Sequence, residues 1–90
     1  MNETQLIIDT IESLKSEQSK RNLSMDMYKL EYGEDSTGIP SVWIYFSVNE
    51  VGVDRMELIQ NINKYKFALI EELFKNGLES WPYIHFRGKD

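Results

Sequence analysis

There is no cysteine in this chain. That absence excludes a disulfide framework, a zinc–thiolate site and a cysteine nucleophile. A short chain without such staples relies on packing, with oligomerisation as the available supplement. Histidine occurs once, at His85, and proline twice, at Pro40 and Pro82. No apolar run approaches the length needed to span a bilayer. The opening stretch MNETQLIIDTIESLK lacks a basic first segment, and acidic and polar residues interrupt its apolar ones, so it does not read as a secretory signal. A cytoplasmic location is expected. Positive charge is also scarce. Ten Lys and Arg against fifteen Asp and Glu give a formal net charge of −5, and a field of that sign repels phosphate backbones and anionic membranes. Nucleic acid is thus an unexpected partner and a membrane an excluded one.

What is present suits one folded unit. The length of 90 residues, with 41% hydrophobic and 28% charged residues, predicts a single α+β domain over 1–90 with one modest core. Residues 3–18 read as an amphipathic helix, with Ile7, Ile11 and Leu14 at spacings of four and three and Ile8 beside them. Asn2 and Gln5 have the spacing of a capping box. The apolar stripe is lost over 16–22, where the helix should fray or end. Residues 23–32, LSMDMYKLEY, alternate but switch phase, which predicts a bulge or strand start near Met27. GEDSTGIP, 33–40, is turn-forming.

The clearest strand is SVWIYFSVN, 41–49, with Val42, Ile44, Phe46 and Val48 on one face and Trp43 and Tyr45 on the other. Residues 54–76 read as a long helix, opened by Asp54 with Glu57 and stopped by Gly77. Leu58, Ile62, Tyr65, Leu69 and Leu73 form its main stripe, which Ile59 and Ile70 extend. Met56, Phe67 and Phe74 fall on the order of 100° further round. Residues 82–87 form a last strand.

The order α-β-β-α-β predicts a three-stranded mixed sheet with two helices packed on one face. The first two strands should pair as a hairpin. A right-handed crossover should set the third parallel to the second, either beside it or against the first. This element order is similar to that of type II KH domains. Those RNA-binding modules break the helical segment after the hairpin with a glycine-containing turn, whereas MELIQNINKYKFALIEELFK has no glycine. The resemblance is of order alone and implies no RNA binding.

In such a two-layer domain the sheet's other face has nothing of the chain to cover it. It would carry Trp43, Tyr45, Tyr83, His85 and Arg87, residue types that anchor protein contacts. Met56, Phe67 and Phe74 are the second candidate interface. The first helix is expected to cover that flank, which becomes an oligomer surface if the helix packs elsewhere. Catalysis is not expected: a general base needs an orienting partner and a pocket, and the sequence supplies neither to His85. One histidine among scattered carboxylates has no metal-ligand spacing. GEDSTG lacks the calcium-loop pattern, and Ser36 and Thr37 carry no specific signal for modification. No cofactor is expected. The sequence therefore points to a small non-enzymatic interaction or regulatory protein, expected to be a homodimer or to bind another protein. It would use the aromatic sheet face or an exposed strand edge. The alternative is a small-ligand or single-stranded nucleic-acid binding domain using the same aromatic face.

Overall fold

A computed structural model describes residues 2–50, 52 and 54–88. The chain begins with α1, Glu3–Ser13, and α2, Lys15–Lys20. The Asn2 side chain caps α1 by accepting from the Gln5 N–H at 2.8 Å, but the Gln5 side chain turns forward to Asp9 rather than closing a box. Helical winding pauses at Leu14 (φ −97°, ψ 12°), resumes as α2 and ends at Lys20, inside the 16–22 stretch where the loss of apolar periodicity predicts fraying or an end. Four of the six residues of α2, its two Lys with Glu17 and Gln18, are good helix formers. An Arg21–Glu17 ion pair and a Gln18 amide donating to the Leu23 and Met25 carbonyls carry the chain from α2 into the sheet.

Strands β1, Met25–Glu34, and β2, Pro40–Val48, form the hairpin. Its register shifts between Met27 and Lys29, which leaves Tyr28 as the extra residue of the predicted bulge. Helix α3 spans Arg55–Lys75, with Asp54 accepting from the Glu57 N–H and Gly77 leaving the helix at φ +96°, a conformation open to glycine. Strand β3, Trp81–Gly88, lies parallel beside β2, and the sheet order is β1-β2-β3. Of the two placements open from sequence, the split one is thereby excluded. The Trp81–Pro82 peptide is trans.

The core lies between one sheet face and the helices. Val42, Ile44, Phe46, Val48, Met25 and Ile84 meet Ile7, Ile11, Leu58, Tyr65, Leu69 and Leu73, all buried. Phe46 stacks on Phe86 and meets Tyr65 edge-on. Polar ties fix α1 to the end of α3. The Asn76 side-chain amide donates to Thr10 Oγ1 at 3.0 Å, and Glu3 accepts from the Ser80 hydroxyl and the Glu79 N–H. None of the described helices is long and apolar enough to cross a membrane.

Candidate interaction surfaces

The five residues singled out for the open sheet face do come together there. Parallel register places Trp43 beside Tyr83 and Tyr45 beside His85. Each pair stacks, with ring centroids 5.5 Å and 5.2 Å apart and planes 16° from parallel. Two rings lying flat on adjacent strands would meet edge to edge at a larger centroid distance. These rings instead form two offset stacks. The bulged Tyr28 joins the row at 6.1 Å from Tyr45, Arg87 lies over Tyr28, and Lys29 Nζ lies over Tyr45. Lys29 also pairs with Glu31 at 2.7 Å, which raises its pKa and lowers that of Glu31. Tyr28, Lys29 and Glu31 are members of this surface that the sequence reading left out. The phase switch near Met27 was the available signal, because a bulge moves Tyr28 to the outer face.

His85 is exposed and stacked on Tyr45, with no hydrogen bond to orient it among the described residues. Also among the described residues, no group of three His, Cys, Asp or Glu is placed to hold a metal ion. The acidic loop is built around Asp35. Its carboxylate accepts from the Thr37 hydroxyl, the Thr37 and Ile39 N–H groups and the Tyr83 hydroxyl. The Thr37 hydroxyl is the foremost of these donors in holding the carboxyl down at about 2, and the Tyr83 hydroxyl's own hydrogen bond to Asp35 raises the Tyr83 phenol. Asp35 therefore ties the hairpin loop to β3 across the sheet.

The second candidate flank is a different kind of surface. Met56 is 66% exposed, Phe67 69% and Phe74 41%, so α1 does not cover them and that expectation is corrected. The reason is where α1 sits. Ile7, Ile11 and Leu14 spend their apolar side in the main core, and Thr10 faces Asn76 at the C-terminal end of α3. Ile59, expected to extend the core stripe, is exposed as well. Met56, Ile59, Asn63, Phe67, Ile70 and Phe74 recur at spacings of three and four, so they form a second stripe on α3. At its end Phe74 meets the half-exposed Trp81, 5.6 Å between ring centroids.

This stripe runs beside β3, which pairs on one side only. Between them lies an open groove of about 480 Å³, with Lys66, Phe67 and Ile70 on the helix side and residues 81–85 of β3 on the other. A smaller groove of about 290 Å³ lies between Trp81, Tyr83 and the Asp35 loop. No protein-family model, curated protein or solved structure matches the chain.

Proposed function

We propose that this chain is a small non-enzymatic interaction protein of the cytoplasm, homodimeric, that docks through the flank formed by α3 and the edge of β3. The observation that carries this reading is the exposed stripe of Met56, Ile59, Phe67 and Phe74, continued by Trp81 alongside an unpaired strand. Contiguous apolar surface of this kind is expensive to leave in water and marks contact sites. The sheet's aromatic face is the weaker candidate for the primary contact. Its rings already cover each other, and Lys29 and Arg87 lie over two of them. Bases stack on free ring faces, so rings already stacked on one another also weigh against the nucleic-acid alternative.

The test is solution mass by light scattering over a concentration series, for the wild type and for Phe67→Ser. Phe67 is largely exposed, so its replacement leaves the core intact. Burying a phenylalanine side chain contributes about 2 kcal/mol, so Phe67→Ser should weaken the dimer at least about tenfold. A wild type that stays monomeric throughout, or a dimer indifferent to Phe67→Ser, overturns the reading.

A further inference from the structure

We propose that two copies of the chain join edge to edge through β3, antiparallel about Ile84. Two three-stranded sheets then become one six-stranded sheet, with the two α3 helices side by side beneath it. This rests on the flank being the docking surface and names what occupies it.

The two edges of the sheet differ in how they are guarded. Strand β1 carries Asp26, Lys29, Glu31 and Glu34 and a bulge, the devices that discourage edge pairing. Strand β3 has no carboxylate between Trp81 and Gly88 and no register shift, and only Pro82, near its start, removes a donor. The groove of about 480 Å³ runs along this free edge and has the position an added strand would occupy.

The partner that fits is a second copy. Stripe and edge lie side by side along β3, so a two-fold axis near Ile84 places strand against strand and stripe against stripe at once. Five side chains roughly half exposed, at about 200 Å² for a whole large side chain, offer about 500 Å² per copy. Two copies would bury about 1,000 Å² before any backbone is counted, which reaches the size of a specific interface. Antiparallel pairing about Ile84 sets Trp81 opposite Arg87 of the second copy, and Tyr83 opposite its His85. All four residues have the same strand parity, so both pairs lie on one face. A cation meets an indole in one pair and an imidazole meets a phenol in the other.

The lack of cysteine makes the test direct. His85→Cys and Lys29→Cys each give a chain with one thiol, in the same row across the sheet. At about 4.8 Å per strand, edge-to-edge pairing brings two copies of position 85 within about 10 Å and holds two copies of position 29 about 24 Å apart. A short bis-maleimide should therefore join His85→Cys chains in high yield and leave Lys29→Cys chains single, and adding Phe67→Ser should reduce the His85→Cys product at least tenfold. Joining of both variants means packing through the aromatic faces and overturns the inference. A dimer that Phe67→Ser dissociates but that leaves His85→Cys unjoined keeps the flank as the docking surface and overturns the strand pairing alone. A wild type monomeric at every concentration overturns both.

Discussion

Tyr65 is fully buried against Phe46, and its hydroxyl finds no hydrogen-bond partner among the described residues. Burial pushes its phenol up to about 12. An unpaired buried hydroxyl costs about 1 kcal/mol or more, so Tyr65→Phe should be neutral to stabilising. Thermal unfolding should show a melting temperature unchanged or raised by about 4–8 °C, and a fall would mean the hydroxyl is bonded in solution. Asp35 is the opposite case, a part-buried carboxylate with four donors. Its folded pKa of about 2 lies below the ordinary carboxylate value. The stability it contributes is therefore present in full above that ordinary value and is lost as pH falls through it toward 2. Carboxyl NMR should place its midpoint near 2, and Tyr83→Phe, by removing a donor, should move that midpoint upward. A midpoint at the ordinary value in the wild type would mean that the loop's hydrogen bonds do not persist.

At the scale of elements, polar groups tie α1 to the chain at and beyond the end of α3, among them the Asn76 amide on the buried Thr10 hydroxyl. Asn76→Ala should cost about 1 kcal/mol in denaturant unfolding, and no loss would show that apolar packing alone seats α1. The elements themselves were largely legible in the sequence. Strict alternation gave β2, the Asp54 cap and Gly77 bounded α3, and the phase switch at Met27 marked the bulge. The placement of α1 was not legible, because one apolar stripe can meet either flank of a neighbouring helix and only three-dimensional packing decides which. The second stripe on α3 was legible in part. Ile70 does pack against the core, but assigning Ile59 there hid the fact that it repeats at helical spacing with Met56, Phe67 and Phe74. At the candidate surfaces, strand parity put Trp43, Tyr45, Tyr83, His85 and Arg87 on one face but missed Tyr28, Lys29 and Glu31, which the bulge adds, and it did not reveal the stacking, since parity sets a side and not a ring angle. The Asp35–Tyr83 bond joins residues 48 positions apart and left no local signal.

On the scale of the whole molecule, the net charge of −5 opposes any self-association. Screening that repulsion should tighten the proposed dimer, so raising salt from about 0.01 M to about 0.15 M, which shortens the Debye length from about 30 Å to about 8 Å, should lower the dissociation constant measured by sedimentation. Weakening with salt would instead point to an interface held by ion pairs. The parallel pairing of β2 with β3 has a further consequence, in time rather than in space. Every partnered pair in it is 40 positions apart, from Ser41 with Trp81 to Val48 with Gly88, whereas the hairpin pairs Glu34 with Pro40 across a short turn. The hairpin and α3 can form locally and early, but β3 docks only after a long loop has closed, and such late, distant pairing sets a slow rate. Folding of this small domain should therefore wait on its third strand, the same strand whose outer edge we assign to the second copy.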